Sequence, residues 1–137
     1  MRDQDLAGFY RDYIDCLNRR DWPALGGFVA DEVRHNGNEL GLAGYRAMLE
    51  QNVRDIPDLR FAIVLLVCDA ERIASRLWFD CTPTGSFLGL AIDGHRVGFA
   101  ENVFYEIRNG KIAEVWSVLD KVALEAQLEP NAGPTPR

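Results

Sequence analysis

The chain has 137 residues, 15 Lys and Arg against 21 Asp and Glu, and a formal net charge of −6. That length suits one domain with a substantial core, and an acidic chain with no basic cluster beyond Arg19-Arg20 offers no surface for tracking phosphates, so nucleic acid is excluded as a favoured partner. Cys16, Cys68 and Cys81 are too few and too scattered for a disulfide framework or a Cys-x-x-Cys site. The acidic start has no secretory apolar core and no apolar run is long enough to span a bilayer, so a cytoplasmic protein away from membranes is expected.

Leu6, Phe9, Tyr10, Tyr13, Ile14 and Leu17 recur at helical spacing and give a first helix with one apolar stripe, stopping near Asn18-Arg19-Arg20. Asp21 as a cap and Pro23 in the first turn predict a second, shorter helix through Leu25, Phe28 and Val29. His35-Asn36-Gly37-Asn38 reads as a polar turn, and Tyr45, Met48, Leu49, Val53 and Ile56 as a third helix that Pro57 ends. From there the periodicity becomes that of strands, over 59–68, 72–82, 96–107 and 111–120, with Asp69-Ala70-Glu71 and Arg108-Asn109-Gly110-Lys111 as hairpin turns. A short closing helix over 122–128 follows. Residues 129–137, with three prolines and a glycine, read as a disordered tail to a single domain over 1–128.

Helices first and antiparallel strands afterwards predict an α+β domain with the N-terminal helices packed on a sheet. Within the last strand, alternation puts Ile112, Trp116 and Asp120 on one side and Ala113, Val115, Ser117 and Leu119 on the other. Asp120 thus ends an apolar strand, where a carboxylate needs a partner or a task. It can be the N-cap of the closing helix or a working acid. Arg76 can pair with Asp80 or meet a ligand. His35 can be a surface group or a site group, and Asn102 is unusual inside a strand. Tyr13, Trp78 and Trp116 are most simply core residues, some of which should line any pocket. Two distant histidines and unclustered cysteines leave no zinc signature, and no P-loop, Gly-x-Gly-x-x-Gly or Gly-x-Ser-x-Gly is present.

Read together, Phe9-Tyr10, 31–35, 41–45 and Pro57-Asp58-Leu59-Arg60-Phe61, then Arg76, 82–89, Gly94-His95-Arg96-Val97, Gly110-Lys111-Ile112-Ala113-Glu114-Val115-Trp116, Asp120, Leu124 and Gln127-Leu128, resemble the SnoaL-like polyketide cyclase (ester cyclase) family. The resemblance implies a strongly curved antiparallel sheet forming a cone-shaped barrel with an interior pocket, shared with ketosteroid isomerase. It also implies a homodimer and a hydrophobic small-molecule substrate closed into a ring by an intramolecular aldol step, with no metal or organic cofactor. Asp120 matches the family's acid/base aspartate, and Arg76 and His35 stand where the family often has arginine and histidine; with Asn102, noted for its place inside a strand, and the aromatics Trp116, Trp78 and Tyr13, they are the candidate substrate-binding residues. One departure is Pro83, between Thr82 and Thr84, where the family often has histidine. Isomerisation, hydrolysis and non-catalytic ligand binding stay open as alternatives on the same fold.

Overall fold

The computed structural model describes residues 2–128, so the expected tail over 129–137 lies outside the described residues. Helix α1 spans Asp3–Arg19, with Asp3 and Asp5 in its first turn, where negative charge suits the helix dipole. It ends as Arg20 turns left-handed (φ 56°) and its N–H reaches back to the Leu17 carbonyl. Of the stripe, Leu6, Tyr10, Tyr13, Ile14 and Leu17 are buried as its spacing requires, and Phe9 is half-buried at its edge. Helix α2 spans Gly41–Asp55 and stops at Ile56, which is extended because Pro57 follows it.

The expected second helix is a single 3-10 stretch, Trp22–Gly27, and the chain then enters strand β1, Val29–His35. Leu25, Phe28 and Val29 read as one helical face, but Gly26-Gly27 ends the turn and Val29 and Val33 are buried as strand residues. A two-residue strand β2, Asn38–Glu39, pairs back on β1 where the sequence suggested only a polar turn.

Strands β3 (Ala62–Asp69), β4 (Arg72–Cys81), β7 (Val97–Arg108) and β8 (Lys111–Leu119) form the antiparallel body. The order across the sheet is β2-β1-β8-β7-β4-β3, and β1 runs parallel to β8, so the sheet is mostly rather than wholly antiparallel. A small separate hairpin, β5 (Ser86–Phe87) with β6 (Leu90–Ala91), interrupts the path from β4 to β7. Helix α3, Lys121–Gln127, closes the described chain.

Register shifts between Ile63 and Leu65, between Val29 and Arg34, and between Glu106 and Ile107 bend the sheet, as extra residues in one strand of a pair do. The sheet curves without closing: β2 and β3 remain separate edges, so the cone is an open sheet rather than the expected barrel. Helices fill the gap, with α1 against β3 and α2 against β1. The core lies between these helices and the concave face, where Tyr10, Leu77, Phe99, Tyr105 and Ile112 are buried.

Candidate active site

Side chains alternate along β7, and Phe99, Glu101, Val103, Tyr105 and Ile107 fall on the concave face. Four of these five are apolar or aromatic, and the fifth is Glu101. It borders a cavity of about 430 Å³ whose floor also includes Leu77, Val115, Ser117 and Leu119, and whose far wall is Tyr13 of α1 with Tyr45 and Met48 of α2. Glu101 is also shared with a smaller recess of about 60 Å³, walled by Phe61, Phe79, Phe87 and Phe99.

Glu101 makes no hydrogen bond or ion pair among the described residues. Burial without a compensating partner disfavours its charged form, and its pKa is raised from 4.5 to about 7. Its remaining exposure is toward the cavity it lines. A carboxylate poised near neutrality in an apolar chamber can take up and return a proton.

Three phenols line the chamber, Tyr13, Tyr45 and Tyr105, and Tyr10 backs the last of them. Tyr13 and Tyr45 hydroxyls are 2.7 Å apart, and Tyr10 and Tyr105 hydroxyls 3.1 Å apart. Burial pushes the Tyr10 phenol up to about 12 and holds Tyr13, Tyr45 and Tyr105 well above the ordinary value, with the nearby Glu101 charge a smaller contribution in the same direction. The phenols therefore stay protonated at neutral pH and remain able to donate.

His35 ends β1 beside β8, with Nε2 3.0 Å from Ser117 Oγ. Desolvation lowers its pKa, so it is neutral at pH 7. Asn36, in a left-handed conformation (φ 47°), fastens the pair: its Oδ1 accepts from Ser117 N at 2.9 Å and its Nδ2 donates to Ser117 O at 3.2 Å. Among the described residues the cavity lining includes one cation, Lys121, 3.9 Å from Glu125.

Of the residues singled out in the sequence, Tyr13 and His35 line this cavity. Arg76 and Asn102 are cross-strand partners on the convex face, joined by a 3.0 Å hydrogen bond from the guanidinium to Asn102 Oδ1. Trp116 is on that face too, opposite Phe104. Trp78 is buried against Gly98, where a Cβ would come within 2.7 Å of its ring. Asp120 is the N-cap of α3, its Oδ1 accepting from Ala123 N at 3.1 Å. It falls between Leu119 and Lys121, both of which border the cavity, and its own N–H donates to the Ala100 carbonyl at 2.9 Å.

Sequence reasoning missed Glu101, Tyr45, Tyr105 and Ser117. A signal for Glu101 existed: it is the one charged residue in the alternation from Phe99 to Ile107, the parity opposite to that of Asn102. Among the described residues no group of three His, Cys, Asp or Glu side chains is placed to cage a metal. No helix there is long and apolar enough to cross a membrane.

Fold and cavity together define an α+β cone protein whose largely apolar chamber holds, among the described residues, a single unpartnered acid. The chain belongs to the SnoaL-like polyketide cyclase family, whose model matches residues 7–128. It is 52% identical to a SnoaL-like polyketide cyclase from Agrobacterium tumefaciens, with a TM-score of 0.90 over 94% of this chain and 100% of that one. TsrD from Streptomyces laurentii (22% identity, TM-score 0.81, 93% and 97% covered) and IdmH from Streptomyces antibioticus (19% identity, TM-score 0.77, 89% and 96% covered) share the fold. None of the curated proteins matches the chain. Membership of the family supports a cyclase-type function.

Proposed function

We propose that this protein closes a ring in a polyketide-type ester by an intramolecular aldol reaction driven by its own side chains, with Glu101 as the proton carrier. The reading rests on one observation above all: the acid that lines the chamber is buried with no hydrogen-bond or ion-pair partner among the described residues, and that burial raises its pKa to about 7. Glu101 removes a proton from the carbon next to a carbonyl, and the electron pair passes to that carbonyl's oxygen as an enolate. Of the mutually bonded Tyr13 and Tyr45 phenols, the one that accepts in that bond keeps its own proton to donate to that oxygen, and the His35–Ser117 pair lines the same space. The enolate carbon then attacks a second carbonyl of the same molecule, and protonated Glu101 returns its proton to the new alkoxide. Enclosure supplies proximity and excludes water.

A second reading, favoured by the family match, keeps Asp120 as the acid and base. It adjoins two cavity residues, but one of its carboxylate oxygens already holds the α3 N-terminus. Deuterium exchange at the acidic C–H of anthraquinone esters, followed by NMR, separates the two. Glu101→Gln should lose at least about 100-fold in exchange rate while still binding, the usual scale for removing a general base. Asp120→Asn, which keeps a capping acceptor, should stay within a few-fold of wild type. The reverse pattern would transfer the role to Asp120, and exchange by neither wild type nor variants despite binding would favour a ligand-binding protein.

We propose further that the substrate is a hydrophobic small molecule and that two copies of the chain pair through the convex sheet face. Leu65, Val67, Phe104 and Val118 stand there more than half exposed, and a group of exposed apolar side chains on one sheet face is the kind of surface that marks an interaction site. Asp69, Arg72 and Glu106 edge the same surface, and a rim carrying both signs suits a copy of itself across a two-fold axis.

A further inference from the structure

The turn between β5 and β6 holds an anomaly. Leu88 (φ 52°) and Gly89 (φ 75°) are both left-handed, the geometry of a type I′ hairpin, where asparagine rather than a bulky apolar residue is the comfortable choice for the first position. A leucine there is costly in conformation and persists where the surroundings fix it, a pattern that clusters at functional sites. Here the two neighbouring side chains of the hairpin serve different spaces. Leu88 borders the 430 Å³ chamber, whereas Phe87 walls the 60 Å³ recess.

The hairpin is fixed rather than loose. Ile92 and Asp93 N–H groups both reach the Gly85 carbonyl, at 3.0 and 2.8 Å, and Gly94 N–H reaches the Pro83 carbonyl at 3.1 Å. Thr84 ties it to the end of α2, with its N–H and its hydroxyl both on the Asp55 carbonyl, at 2.9 and 3.1 Å. The recess wall is therefore set by anchored backbone. Phe87 stacks 5.5 Å from Phe99, which stacks 5.3 Å from Phe79, itself 5.2 Å from Phe61.

Asn52, Phe61, Glu101 and Leu119 are common to both spaces. A substrate carbon that gives its proton to Glu101 therefore has the polar-rimmed chamber on one side and a mostly aromatic recess on the other. The recess has room for only a few water-sized groups, which as hydrocarbon is about three carbons. We infer that the recess is a subsite for a short alkyl substituent on the carbon that loses the proton, and that Phe87 sets its depth. The substrate class is thus narrowed to carbonyl compounds that carry an unbranched alkyl group of up to about three carbons at the acidic position, their larger ring portion lying in the chamber. This rests on Glu101 being the base.

The test is calorimetric binding of 2-naphthyl alkyl ketones, from the methyl ketone to the hexyl ketone, with no turnover required. Wild type should tighten about four-fold per added methylene up to about the third added carbon, then weaken as the recess overfills. Phe87→Ala should move that turning point to longer chains, and Phe87→Leu should move it less while serving as the variant to use if the alanine protein does not fold. Leu88→Ala enlarges the chamber alone and should leave the turning point in place. Affinity independent of chain length, a turning point unmoved in both Phe87 variants, or no binding by any ketone at millimolar concentration would overturn the subsite. Exchange that survives in Glu101→Gln alongside a normal turning point would instead remove the base and leave the subsite standing.

Discussion

Glu101 carries the argument at the scale of single residues. A carboxyl whose folded pKa is raised to about 7 from 4.5 is bound to a proton in the native state that the unfolded chain has already released. Its contribution to stability is full below about pH 4.5 and is lost as pH rises through 7. Glu101→Gln should therefore match wild type in denaturant midpoint near pH 4.5 and exceed it at pH 8, by on the order of 2 kcal/mol after allowance for its contact with the cavity. Equal urea midpoints for the two proteins at pH 8 would contradict the raised pKa. The exchange rate should run the opposite way with pH, climbing through about 7 as the base form appears. The same residue marks a limit of sequence reading. An asparagine inside a strand drew notice at Asn102, but Asn102 turns outward to Arg76, while Glu101 beside it turns inward. Asp120 was conspicuous in sequence for two compatible reasons, family position and capping, and the structure displays the cap.

Among the elements, the hairpins were legible because their turns are short and their flanks alternate, whereas β1 was not. Its burial order runs two in, two out, one in, so no strict alternation announced it. The two long hairpins also differ in a way that can be measured. Asn109 (φ 52°) and Gly110 (φ 75°) are the residues a type I′ turn favours, but β3 and β4 are joined by Ala70 (φ 50°) and Glu71 (φ 60°) in the same conformation. Replacing them together, Ala70→Asn with Glu71→Gly, should relieve left-handed strain and raise unfolding stability by about 1 kcal/mol. A lower melting temperature for the double variant would show that the Glu71 side chain gives more than its backbone costs.

For the whole molecule, the sequence carried the class of architecture and the order of helices and strands, because amphipathic periodicity survives without knowledge of neighbours. Closure was beyond it, since whether a curved sheet meets itself depends on bulges and on what α1 and α2 fill. The same holds for the outer face, where Trp116 sits 42% exposed although the pattern of its strand suggested core. If two copies cover that face, Phe104→Glu should shift the protein from dimer to monomer in sedimentation equilibrium and leave Glu101-dependent exchange per chain within a few-fold. A dimer that withstands this charge would place the contact elsewhere.

The parallel pairing of β1 with β8 also sets when the site can exist. His35 and Ser117 are 82 residues apart in sequence, and no earlier strand substitutes for β8 in holding that wall of the chamber. Closing so long a loop is among the last things a chain can do, because its entropy must be spent before the contact rewards it. During synthesis the antiparallel strands can collapse as they emerge, but the pocket stays unbuilt until the final strand is free to slot between β1 and β7. A chain clipped before β8 would lack Val115, Ser117 and Leu119 from the chamber floor and the strand that joins β1 to β7, so ligand binding should report chain completion as well as fold.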